Sequence, residues 1–116
     1  MKILLINPPD NYHELINSNI ERQLCRKHEL PDFVHLFVKT KNEFETNLNR
    51  LIPVCKKNSV IIIWVSWFKK SAKIPTDVTE DLIRDFALAN GLVDVKVCAV
   101  SEVWSGLKLV VPLKLR

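Results

Sequence analysis

The chain has 116 residues, 47% of them hydrophobic and including three Trp and five Phe, which is enough apolar material for one core and too little for two. Seventeen Lys and Arg against thirteen Asp and Glu leave a net charge of +4, which permits a polyanionic partner such as RNA or DNA without requiring one. Apolar runs are short: Met1 to Ile6 stops well before a signal-peptide core, and Val60 to Val65 is too brief to span a bilayer.

These features predict a single domain over residues 1–116, cytoplasmic and without membrane contact. Cys25, Cys55 and Cys98 are odd in number and widely spaced, as expected of reduced thiols rather than a disulfide framework. Two glycines and no low-complexity linker argue against disorder outside short loops and residues 17–30.

In chain order, Ile3 to Ile6 reads as a buried strand closed by Asn7-Pro8-Pro9, whose prolines cannot donate to a ladder. Asp10 caps a short helix to about Ile16, and Ile20 to Lys27 is a poorly marked second strand. Phe33 to Val38 is a third. Phe44, Leu48, Leu51, Ile52 and Cys55 recur at the spacing of one helical face, predicting a helix over 41–55 that Pro53 kinks or ends early. Val60 to Val65, apolar on both sides, predicts a central strand covered by helices.

A second amphipathic helix begins at Thr76 or Asp77, where Thr79, Glu80 and Asp81 supply capping partners and first-turn acids, and stops at Gly91. Its stripe is Val78, Leu82, Ile83, Phe86 and Ala87. Asp94 to Val100 and Leu107 to Val111 alternate with period two around Trp104-Ser105-Gly106, predicting a hairpin at the sheet edge. The fold class that follows is α/β: a compact Rossmann-like, mostly parallel sheet with helices on both faces and a C-terminal antiparallel hairpin strand.

Candidate binding residues gather at the predicted strand ends, where α/β proteins hold their ligands. Lys69, Lys70 and Lys73, with Lys39 and Lys41, form a basic rim interleaved with Trp67 and Phe68, a combination suited to phosphates and stacked bases. Thr76 and Asp77 adjoin it. Trp104, Ser105 and Lys108 lie in or beside the hairpin, where Trp104 could anchor a protein partner. Each has a plainer reading: solvated loop lysines, capping residues and tryptophans that close the core.

No catalytic residue, metal site or cofactor is assigned. Ser66 lacks a nucleophile-elbow glycine pattern, His35 lies inside a strand as a hydrogen-bonded core residue, and Cys25 with His28 has no second pair to complete a zinc site.

Several segments resemble a bacterial family catalogued as domain of unknown function 3052. These are Asp32-Phe33-Val34, Trp64-Val65-Ser66-Trp67 with Lys69-Lys70, Thr76 to Asp81, Gly91 to Val100, and Glu102-Val103-Trp104-Ser105-Gly106-Leu107-Lys108. The resemblance covers about two-thirds of the chain and implies a truncated, methyltransferase-like Rossmann fold without an established activity. The final hairpin resembles the end of S-adenosylmethionine-dependent methyltransferases. Adenosylmethionine sites use glycines after the first strand, however, and here that turn is Asn7-Pro8-Pro9-Asp10. Asn7-Pro8-Pro9 also resembles the motif with which amino-methyltransferases hold a target base, but that motif follows a different strand and takes an aromatic fourth residue. The expected function is therefore a non-catalytic binding or accessory module using the lysine and tryptophan rim, with a degenerate methyltransferase-like enzyme as the alternative.

Overall fold

The computed structural model describes residues 2–12, 24 and 29–112. Five strands form one sheet: β1 (Ile3–Ile6), β2 (Phe33–Phe37), β3 (Ile62–Phe68), β4 (Val93–Ala99) and β5 (Trp104–Val110). Their order is β1-β2-β3-β5-β4. β1, β2 and β3 pair in parallel, and β5 pairs antiparallel with both β3 and β4, so β4 runs in the direction of β3.

Among the described residues two α-helices connect them, α1 (Lys41–Lys57) and α2 (Glu80–Ala89). Both crossovers advance the same way across the sheet, from β2 to β3 and from β3 to β4, which puts both helices on one face. There Phe44, Leu48, Leu51 and Cys55 of α1 and Ile83 and Ala87 of α2 close over Val34, Leu36, Ile63, Val65, Leu107 and Leu109. Full burial of each large aliphatic or aromatic side chain contributes about 1.5–3 kcal/mol. The opposite face carries a second cluster of Ile3, Tyr12, Phe37, Phe68 and Trp104. The helix expected from Asp10 to Ile16 and the strand expected over 20–27 lie largely outside the described residues, although Leu24 makes a parallel bridge to Ile3.

Three expectations change. α1 continues through Pro53 to Lys57. Pro53 and Asn49, whose carbonyl loses its donor, both face solvent, and buried Leu51 and Cys55 hold the last turn to the core. β3 begins later and ends later than Val60 to Val65, because Val60 sits in a turn at 62% exposure while β5 supplies ladder partners for Ser66, Trp67 and Phe68. α2 begins at Glu80, not at Thr76 or Asp77. Its N-cap is Thr79, whose hydroxyl accepts from Leu82 N at 3.1 Å, because Thr76 and Asp77 are engaged elsewhere. Gly91, at φ 82°, ends α2 as expected: its amide reaches the Leu88 carbonyl and the Leu92 amide reaches that of Ala87.

The hairpin is present, but its turn falls at residues 100–103, so that Trp104, Ser105 and Gly106 belong to β5 instead of the connection, and β5 is seated inside the sheet with β4 alone at the edge. Ser101 shapes the turn by accepting from the amides of Val103 and Trp104, both at 3.1 Å.

Candidate functional site: two clefts at the ends of the parallel strands

The ends of β1, β2 and β3 and the start of β5 meet at one edge of the sheet, where alternation sends successive side chains to opposite faces. Trp67 points to the helical side and is 7% exposed within the main core. Phe68 points the other way and stacks on its register partner Trp104 at 4.3 Å between ring centroids, while Phe37 meets Trp104 edge-on at 4.9 Å. The Lys69 amide donates to the Val103 carbonyl at 2.8 Å and fixes the exit of β3. A single 3-10 turn, Lys70–Ala72, then reverses the chain, with Lys73 left-handed at φ 56°.

The extended run that follows is stitched to the β2–α1 connection. The Thr76 hydroxyl donates to the Lys39 carbonyl at 2.7 Å and accepts from Val78 N at 3.1 Å, and the Lys41 amide donates to Asp77 Oδ1 at 2.6 Å. Between this run and the turn lies a first cleft of about 620 Å³ with Trp67, Phe68 and Val78 at its base. One wall carries Lys69, Lys70 and Ser71, with Ser105 beside them; the other carries Thr79, Glu80 and Asp81. The second wall is already engaged: Thr79 caps α2, and Arg84 pairs with Glu80, with Asp81 at 3.0 Å and with Asp94 at 2.9 Å. Those carboxylates raise the Arg84 pKa, through hydrogen bonds to Asp94 first and Glu80 second. Among the described residues, the side chains of Lys69, Lys70, Ser71 and Ser105 have no such partner.

A second cleft of about 440 Å³ opens on the other side of Phe68. Phe37, Phe68 and Trp104 form its base, and the Asn7-Pro8-Pro9-Asp10 turn and Lys39 and Glu43 form its sides. Asn7 is left-handed at φ 54°, a conformation Asn tolerates better than most residues. Behind the aromatic base lies a buried polar relay. Tyr12 Oη and His35 Nδ1 are 3.0 Å apart, and His35 Nε2 and Ser66 Oγ are 2.7 Å apart. Burial lowers the His35 pKa from 6.5 to about 4 and pushes the Tyr12 phenol up to about 12. Ser66 is fully buried, so this histidine and serine pair is sealed from solvent.

The structure therefore gathers Trp67, Lys69, Lys70, Thr76 and Ser105 around the first cleft and places Trp104 in the second. It disperses the rest. Lys73 lies on the exposed turn outside both linings, and Asp77 is held by the Lys41 amide. Lys108 sits midway along β5, opposite Trp64 and Lys96 and away from the strand ends. The tryptophans are not an exposed rim: Trp67 packs under the helices and Trp104 against Phe68 and Phe37, on the face opposite α2. His35 is the hydrogen-bonded core residue that its strand position implied. Cys25 and His28 lie outside the described residues, and no group of three metal-ligating side chains occurs among those described.

The whole-chain geometry has counterparts among solved structures. One is a protein in the NADB-Rossmann superfamily from Streptococcus agalactiae, at TM-score 0.56 and 8% identity, covering 94% of this chain and 61% of that one. Another is an uncharacterized protein from Listeria monocytogenes serotype 4b, at TM-score 0.60 and 8% identity, covering 97% and 62%. The fold is Rossmann-like. At such identity the likeness establishes the fold alone, and the chain spans about three-fifths of the length of these two neighbours. No family model and no curated protein matches the sequence. None of the described helices is long and apolar enough to cross a membrane.

Proposed function

We propose that this Rossmann-like chain is a small binding module, without a catalytic role, whose ligand is a compact anion held in the first cleft. The observation that carries this reading is the asymmetry of the cleft walls. The acids opposite pair with Arg84 and Thr79 caps α2, whereas Lys69, Lys70, Ser71 and Ser105, whose side chains have no protein partner among the described residues, line a concave, aromatic-based space. A cleft of about 620 Å³ has the size of a small-molecule site. The burial of Trp67 and Trp104 disfavours the base stacking that a single-stranded nucleic acid would need. Against catalysis, the His35 and Ser66 pair is closed to substrate.

Titration calorimetry with inorganic triphosphate and with a short single-stranded RNA tests the reading, using the wild type and Lys69→Glu/Lys70→Glu. The expected result is triphosphate binding that weakens at least tenfold in the double variant; equal affinity in both proteins refutes it. The free thiols Cys55 and Cys98 support a reducing, cytoplasmic setting.

A second reading is favoured by one feature of the sheet. β5 is inserted antiparallel between β3 and β4, the arrangement that the hairpin's likeness to methyltransferase ends implies, and membership of the domain of unknown function 3052 family is proposed on the segment resemblances alone. On that reading the chain is a degenerate methyltransferase-like protein. The first turn weakens it, since Pro8 and Pro9 offer no amide to a cofactor. Adenosylmethionine binding that perturbs the Asn7 and Asp10 amides in NMR spectra would favour it over the binding module.

A further inference from the structure

We propose that the face of β3, β5 and β4 turned away from α1 and α2 is a docking surface for an acidic, amphipathic helix of a protein partner. This surface lies apart from both clefts and does not depend on the anion-binding reading. Strand register aligns two rows of side chains across it, since cross-strand partners share a face. One row runs Ile62, Val110, Val93, and the next runs Trp64, Lys108, Lys96. Trp64 also pairs with His35, whose ring stacks on Phe37 of the second cluster, which places both rows on the side opposite the helices. Among the described residues, Ile62, Trp64, Val93 and Val110 are half-buried and belong to neither core cluster. Trp64 leans over β5 at Gly106, where an added Cβ would meet its ring at 3.2 Å. The glycine leaves room for the indole to lie low on the sheet.

Charge names the occupant. Lys108 and Lys96 are direct register partners, an arrangement in which like charges repel, and no described side chain pairs with either. Neither row contains an acid. Asp94, the nearest in sequence, pairs with Leu109 on the helical side, where Arg84 holds it at 2.9 Å. Carboxylates supplied from outside would offset the repulsion, while the indole and the aliphatic row beside it take apolar side chains. Width favours a helix. Three strands about 4.8 Å apart span about 10 Å, the diameter of a helix with its side chains, and α1 and α2 already close over the reverse of β3 and β5. Two lysines alone hold a protein only weakly on an anionic bilayer, which disfavours a membrane as the occupant.

The test uses the full chain and a helical peptide of about five turns with a leucine stripe flanked by glutamates, together with its counterpart carrying lysines in place of the glutamates. Fluorescence anisotropy reads affinity, and nitrogen-15 NMR of the Trp64 indole and the Lys96 and Lys108 amides reads the place of contact. The expected result is that the glutamate peptide binds and shifts all three signals while the lysine peptide does not bind. Lys96→Glu/Lys108→Glu, which exchanges one like-charged pair for another, should weaken the glutamate peptide at least tenfold. Lys56→Glu/Lys57→Glu, at the exposed end of α1, changes the net charge equally and should leave its affinity within about twofold of the wild type. No binding of the glutamate peptide, equal weakening in the two double variants, or a Trp64 signal that stays still overturns the proposal. Pelleting with phosphatidylserine vesicles, or self-association in sedimentation, that is lost in Lys96→Glu/Lys108→Glu while no peptide binds overturns it in favour of a membrane or of a second copy of this chain.

Discussion

His35 makes the fold sensitive to acid, and the size of the effect follows from its surroundings. The ring is 5% exposed, stacked on Phe37 at 4.3 Å and bonded through both nitrogens to Tyr12 and Ser66. Desolvation lowers its pKa from 6.5 to about 4. In the unfolded chain the imidazole takes a proton below about pH 6.5, while in the fold it stays neutral until about pH 4. Stability is therefore full above pH 6.5 and falls between those values as pH drops. At 1.36 kcal/mol per pH unit the complete loss is about 3 kcal/mol, of which about 2 kcal/mol is realised at pH 5. Urea unfolding at pH 7.5 and pH 5.0 measures it, with His35→Gln as reference because carboxylates titrate in both proteins. The wild type should lose about 2 kcal/mol more than the variant over that interval. An equal loss in both, or a His35 ring-proton NMR titration centred near pH 6.5, would refute the reasoning.

Two further outcomes test the packing. A Cβ at Gly106 would come within 2.9 Å of Val100 Cγ2 and 3.2 Å of the Trp64 ring; neither group can swing away freely, so Gly106→Ala should cost about 1–3 kcal/mol, read as a lower urea midpoint at unchanged slope. Thr79→Ala should cost about 1 kcal/mol by removing the α2 cap, whereas Asp77→Asn should leave the start of α2 intact and loosen the Lys41 amide, a contrast that hydrogen exchange at Leu82 and Lys41 resolves.

Local signals in the chain were enough for much of this architecture. The bounds of β1, the stripe of α1, the Gly91 stop and the antiparallel hairpin all follow from periodicity, proline and glycine chemistry and capping, which act over a few residues. Local pattern misled where a distant partner intervened. Thr76 and Asp77 have the composition of a helix start, yet their oxygens serve the backbone at Lys39 and Lys41 across the β2–α1 connection, leaving the cap to Thr79. Trp67 and Trp104 looked like rim residues until the β3–β5 register extended one strand and set Trp104 on Phe68.

The candidate site divides the same way. That lysines and aromatics cluster after β3 is visible in the order of residues 67 to 70. That Ser105 joins them, that Arg84 pairs with the facing acids, that Lys108 is remote and that a second cleft opens beyond Phe68 depend on strand order and register. The two links of the Tyr12, His35 and Ser66 relay join residues 23 and 31 positions apart along the chain; alternation assigns each strand residue a face, but only the assembled sheet decides which faces meet. The sequence by itself thus determined the elements and their apolar sides, because those depend on near neighbours. The tertiary structure decided which polar groups are engaged and which remain available to a ligand, because that depends on pairing between strands and helices far apart in the chain.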